Sequence, residues 1–464
     1  MINEDQQTHN FKGFFMKTLS IYMDRTLEMI PITLAFIWLK YCENEYYVPA
    51  LALSFTFNLF VFGFINGLLE AIIIRCSYFY SEQNYDKFSI SFYRFIVFDI
   101  VLSVIGIFVI FYIQPLLILI GVEEKLGSET ATLLQKLLVS KILGKFIIML
   151  KGVLISQKLF YRLNYISIIG LFAFLAAELI FMVILDMELN GYVIAFTIRF
   201  IAETIYTIYT VIRYIPGPYL KIPKLREIWQ DFFKELLFVL NISFANYFDF
   251  IAYEIHTVYV ASLKDNASMV AWSLSLDIQR YCFYILVAVK EVFIVQVNSK
   301  LAEKSISVYK QVKRQLMKYS FWMTIGMGVI VAGTAPFYTR LYSQDEKVLK
   351  PLLFLMFIYF PIAVVDITFL LYTSLLRIIN EEKLQFIISL ALLPLGNIVL
   401  GYLFCFTLNW KLYGTRMGYG IITLIYALAL KYAFNKKEPG YIEKLMNEKA
   451  ERENELMGDN ELNS

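Results

Sequence analysis

Apolar residues fall into twelve long runs separated by short polar or charged stretches. Each run is roughly 20 residues or more, the length an α-helix needs to cross a bilayer. The pattern predicts membrane-spanning helices at 18–40, 48–75, 89–119, 129–155, 164–186, 191–213, 233–262, 268–297, 318–340, 350–376, 383–408 and 416–435. Two stretches do not fit a span. Residues 214–230 carry Pro216, Gly217, Pro218 and Pro223 among Lys221, Lys224 and Arg226, and read as a linker at mid-chain. From about residue 435 the chain becomes charged, which predicts a solvated tail, either a short helix or disordered. The expected architecture is an all-α integral membrane protein with twelve transmembrane helices in two pseudo-symmetric six-helix bundles. Its parts are a tail (1–17), a first half (18–213), a linker (214–232), a second half (233–435) and a second tail (436–464).

Composition agrees. The chain is 59% hydrophobic and 17% charged, against about 25% charged in a soluble domain. A net charge of +3 is too small to suggest a nucleic-acid partner. The four cysteines lack metal-ligand or redox spacing, and His9 and His256 cannot hold a metal by themselves. No metal or other cofactor is expected. The first apolar run reads as a spanning helix and not as a cleaved leader. Basic residues crowd one set of loops, with Lys300, Lys304, Lys310, Lys313, Arg314 and Lys318 in a single connection. By the positive-inside bias, both termini are expected in the cytoplasm.

The halves resemble each other at an offset of 223 residues: Gln157 with Asn380, Leu189 with Leu412, Gly191 with Gly414, and Leu51 and Leu53 with Leu274 and Leu276. Six spans per half is an even number, so the repeat is parallel, an arrangement that places a substrate site between repeats in transporters.

Carboxylates inside apolar runs are the candidate chemistry. Asp249 and Glu254 lie in span seven, Asp277 in span eight and Asp366 in span ten. Ionisable groups in hydrocarbon are costly and mark ion or substrate paths by default. Five residues of helix turn through about 500°, so Asp249 and Glu254 point about 140° apart. One is expected to line a cavity and the other to meet a neighbouring helix. Tyr247, Phe250, Tyr253 and Trp272 flank the acids and could face an organic cation. The alternative is structural: the acids pair with Lys136, Lys141, Lys145, Lys151, Arg199 or Lys290, and the rings only pack. Lys141 and Lys145, one turn apart, suggest ion pairs first and an anionic ligand second.

Several of these residues carry a resemblance. Asp249-Phe250-Ile251-Ala252-Tyr253-Glu254 in span seven, and Asp366 eleven residues before Arg377 in span ten, resemble the acidic motifs of multidrug and toxic compound extrusion (MATE) antiporters of eukaryotic type. Asp277 falls within one residue of an acid that often opens span eight in that family. Residues 77–84 and Val295-Gln296-Val297-Asn298 are similar to its paired loops after spans two and eight. Tyr78 and Ser81 replace a loop glutamine and glycine, Ile73 an expected acid, and Ile378 and Ile379 two glycines. The resemblance implies proton or cation binding at Glu254, Asp249, Asp366 and Asp277, and antiport of organic cations or xenobiotics against protons (or Na⁺) by alternating access. It implies a monomer in a plasma or internal membrane whose partners are a small-molecule substrate and the bilayer. The sequence has no P-loop, HExxH or GxSxG motif. Two readings stay open beside antiport: a relative that moves organic anions or lipid-linked substrates, and a non-transporting scaffold or receptor.

Overall fold

The computed structural model describes residues 10–39, 46–119, 122–303, 305–342 and 345–462, and within these some side chains, Asp277 among them, lie outside the description. Cys42 and His9 also lie outside it. Among the described residues, helices cover all twelve predicted spans, and nine of them are long and apolar enough on their own to cross a membrane. Six spans are single helices: Phe11–Leu39, Glu188–Tyr214, Phe232–Ser262, Asn266–Ala302, Ile306–Tyr342 and Glu346–Ile378. The twelfth, Lys411–Leu462, runs on without a break through the charged tail. The others are jointed. Span two is Tyr47–Phe62 with Phe64–Ser81, span three Tyr85–Phe111 with Ile113–Leu119, and span four Glu124–Lys136 with Leu138–Ser156. In span three the cause is Pro115, whose ring meets the carbonyl four residues back, at Phe111, where the helix stops. Spans five and eleven begin as Phe160–Glu178 and Glu382–Tyr402 and finish in π-turns.

Helix starts follow from side-chain caps. Asn84 accepts from the Lys87 N–H at 3.1 Å, Asp265 from Ala267 at 3.2 Å and Asp345 from Lys347 at 2.9 Å. The Ser268 hydroxyl and the Ala267 N–H hold the Asp265 carboxyl below the usual carboxylate range. The turn after span two, where the family's glycine is missing, is made by Gln83 at φ 57°.

Chain contacts divide the protein into two compact units. One runs from Met16 to Ser243. The other runs from Phe244 onward and takes in the start of span one up to Phe15. The linker belongs to the first unit. It forms a 3₁₀ turn at Gly217–Leu220 and a short helix at Leu225–Trp229. Arg94 of span three donates to the carbonyls of Glu227, Ile228 and Gln230. Tyr219 sits against the rings of Tyr80, Tyr85 and Phe88. Burial there pushes its hydroxyl up to about 12.

The repeat is visible in the backbone. Span five ends in a π-turn at Leu179–Ile184 and span eleven in one at Leu403–Thr407. The N–H of Leu185 bonds to Ile180, and that of Leu408 to Leu403. Left-handed φ angles follow at Asp186 and Glu188 in one half, and at Asn409 and Lys411 in the other. The hydrogen-bonded and left-handed pairs keep the 223-residue offset. After spans four and ten the register slips by one. Lys158 and Asn380 are the left-handed pair there, so Asn380 matches Lys158 and not Gln157.

Gly191 and Gly414 show what the repeat requires. A Cβ at Gly191 would lie 2.8 Å from the Phe181 carbonyl oxygen, and one at Gly414 2.3 Å from that of Phe404. Both obstacles are backbone of the preceding span and cannot swing aside. Gly414→Ala and Gly191→Ala should each destabilise by about 1–3 kcal/mol through overpacking. A Cβ at Gly326 meets nothing within 4 Å, so Gly326→Ala is the control. It should melt at or above the parent temperature in the same detergent, since alanine suits a helix better than glycine.

Candidate functional site

The acidic motif of the second unit converges on Asp366. Burial of the apolar face of Glu346–Ile378 carries Asp366 inward until it is 0% exposed. Neither of its carboxylate oxygens meets a hydrogen-bond donor at good geometry. The groups acting on it are Arg416, Asp249 and Tyr419. Arg416, from span twelve, is also 0% exposed. Its guanidinium faces the rings of Tyr419 at 5.2 Å, Tyr359 at 5.6 Å and Trp272 at 5.9 Å. Its Nη2 donates to Gln279 Oε1 at 2.7 Å. Tyr419 packs in turn on Tyr253 at 4.8 Å and on His256 at 5.8 Å. His256 Nε2 pairs with Asn397 Oδ1 at 2.7 Å. The result is one carboxylate and one guanidinium in an aromatic chamber from which water is largely excluded.

The other sequence-derived residues distribute around this chamber. Asp249 acts on both Asp366 and Tyr426. Glu254 is exposed, and the charge acting on it is that of Arg280. The two acids of span seven therefore answer to different charges. Tyr253 belongs to the chamber. Tyr247 and Phe250 pack on each other at 6.3 Å. Trp272 is fully buried, and its Nε1 donates to Thr257 Oγ1 at 3.1 Å while its ring faces Arg416. The cation its ring faces in this structure is the protein's own Arg416. Asp277 sits on span eight with its side chain outside the described residues. Arg377 donates to Asn246 Oδ1 at 2.9 Å and to Gln385, which bonds Ser389 and Tyr426. It serves this hydrogen-bonded layer below the chamber.

Three of the bases named as possible partners of these acids, Lys151, Arg199 and Lys136, have other partners. Lys151 Nζ bonds Asp24 at 2.8 Å, Glu28 at 2.6 Å and Ser167 at 3.0 Å, all in the first unit. Arg199 pairs with Glu203 at 2.8 Å and donates to the Glu28 carbonyl at 3.2 Å. Lys136 bonds Asn190 at 2.7 Å. Sequence reasoning missed Asp24, Glu28 and Arg416. Asp24 and Glu28 are one turn apart with Arg25 between them, a cluster of three charges inside a predicted span and a signal that was available.

Comparison with known proteins places the arrangement. The MatE family model matches residues 28–177. The eukaryotic MATE transporter AtDTX14 superposes with a TM-score of 0.80 at 15% identity, covering 94% of this chain and 99% of that one. The protein has the MATE transporter fold. The MATE transporter VcmN of Vibrio cholerae, in its bent form, also gives 0.80 at 15% identity, covering 94% of this chain and 97% of that one. A MOP superfamily transporter from Pyrococcus furiosus gives 0.81 at 13%, covering 96% and 99%. The reverse polarity of that protein's binding pocket suggests a different function for it. No curated protein matches the sequence. The MATE resemblance is thus met in sequence over residues 28–177 and in fold over nearly the whole chain. It is the fold of transporters and not of enzymes.

Proposed function

We propose that the protein is a secondary active transporter that exports organic cations in exchange for protons by alternating access. The observation that carries this reading is Asp366: a wholly buried carboxyl, free of well-formed hydrogen bonds, beside a buried guanidinium and three aromatic rings. A lone charge in that setting costs several kcal/mol unless a positive partner offsets it. Proton, Arg416 and an incoming cation are then competing partners for one carboxylate, with Asp249 tuning the competition. Competition at one acid is the physical basis of antiport, and ring faces suit organic cations. Glu254, exposed on the same helix, supplies a second acid where substrate first meets span seven. The distribution of Lys and Arg supports cytoplasmic termini.

The test is uptake of a fluorescent quaternary ammonium into proteoliposomes under an imposed pH gradient. Uptake should require the gradient and stop when a protonophore collapses it. Uptake that follows a Na⁺ gradient alone, or none above protein-free vesicles, would sink the proton-coupled reading.

A further inference from the structure

The first unit holds a buried cation that its ion pairs leave out. Lys141 is 7% exposed at the middle of span four. Among the described residues no acid pairs with it. The charges acting on it are those of Lys145 and Arg199, both of its own sign. Its ammonium lies 4.9 Å from the Phe55 ring and 5.2 Å from that of Phe196. The neighbouring bases differ. Arg199 has Glu203, Lys151 has Asp24 and Glu28, and Lys145 feels Asp99 and Glu28.

Ring faces attract an ammonium by about 0.5–2 kcal/mol, less than the several kcal/mol it costs to strip it of water. Two like charges on the same side worsen the balance. An anion would correct it.

The repeat gives this place a meaning. In the register set by Lys158 and Asn380, 222 residues apart, Asp366 falls on Gly144. Lys141 is one turn before Gly144 and Lys145 immediately after it. At the 223-residue offset Tyr419, which acts on Asp366, falls on Phe196, which flanks Lys141. The two halves therefore use one place in the repeat with opposite charge: a carboxylate in the second, amines in the first.

We propose that Lys141 binds the oxyanion of an amphipathic organic anion, carboxylate or phosphate, with Lys145 and Arg199 adding their field and Phe55 and Phe196 flanking its apolar part. This goes beyond the coupling role of Asp366. It is tested without any gradient, so the two readings can fail separately.

Full-length protein in lipid–detergent micelles is titrated by calorimetry with benzoate, phenyl phosphate and benzyltrimethylammonium. One of the two anions should bind saturably, and which one it is assigns the carboxylate or phosphate class. Lys141→Met should weaken that binding at least about tenfold, as expected for removing one partner of a desolvated charge pair. Lys141→Arg should stay close to the parent. Lys141→Met removes an unpaired buried charge and should melt no lower than the parent, so lost binding is not lost folding. Absence of saturable binding by either anion overturns the proposal, and so does equal binding by Lys141→Met.

Discussion

Asp366→Asn is expected to reduce gradient-driven cation uptake to the level of protein-free vesicles while leaving the fold intact. Asparagine keeps the shape of the side chain and removes its capacity to exchange a proton. The surrounding chamber is fixed by packing and by hydrogen bonds that do not involve Asp366. Arg416 retains Gln279 and three ring faces, and His256 retains Asn397. Arg416 does lose the carboxylate that acts on it, so some loss of melting temperature should accompany the change. Because proton and cation share this carboxylate, Asp366→Asn should abolish uphill uptake and also weaken equilibrium exchange of labelled substrate. A cooperative thermal melt of the variant in detergent separates this loss from misfolding. Full uphill uptake by Asp366→Asn would remove Asp366 from coupling and leave Glu254 as the acid to test next.

The fold was legible because its signals are long and redundant. Twelve apolar runs are twelve independent readings of one constraint, that backbone polar groups must be satisfied within each span. The repeat was legible at Gly191 and Gly414 because a close backbone approach admits only glycine there. It was misread by one residue at Gln157, since an Asn and a Gln can match by chemistry while the left-handed position belongs to Lys158.

The site was legible on one side only. Asp366 and Asp249 stood out as charges in apolar runs. Arg416 did not, because it lies where the apolar run begins and reads as the last loop residue. Helix twelve starts five residues earlier, at Lys411, beyond a left-handed turn that apolar periodicity does not register. Trp272 shows the corresponding limit. It stood out as a ring near the acids in sequence, but which cation its ring faces depends on a helix distant in sequence.

The second large effect concerns Lys151. It bonds two carboxylates and a hydroxyl at once within the first unit. Ser167 Oγ closes the group by donating to Asp24 at 2.5 Å. Lys151→Met deletes the cation and leaves Asp24 buried without its counter-charge, a loss of about 3–5 kcal/mol for a broken buried pair. Met matches the stem of lysine, so packing changes little and the penalty is electrostatic. Asp24→Asn in the same chain should recover much of that stability, because the two side chains then meet as neutral groups. Lys151→Arg should not rescue, since a planar fork does not replace a point charge shared among three acceptors. Thermal melts of the single and double variants in one detergent decide this. If Lys151→Met and Asp24→Asn simply add, the pair is not coupled and the network does not hold spans one, four and five together. If they compensate, the first unit is built around a fixed internal salt bridge. Lys141, which no acid among the described residues pairs with, then stands outside that bridge and can answer to a ligand.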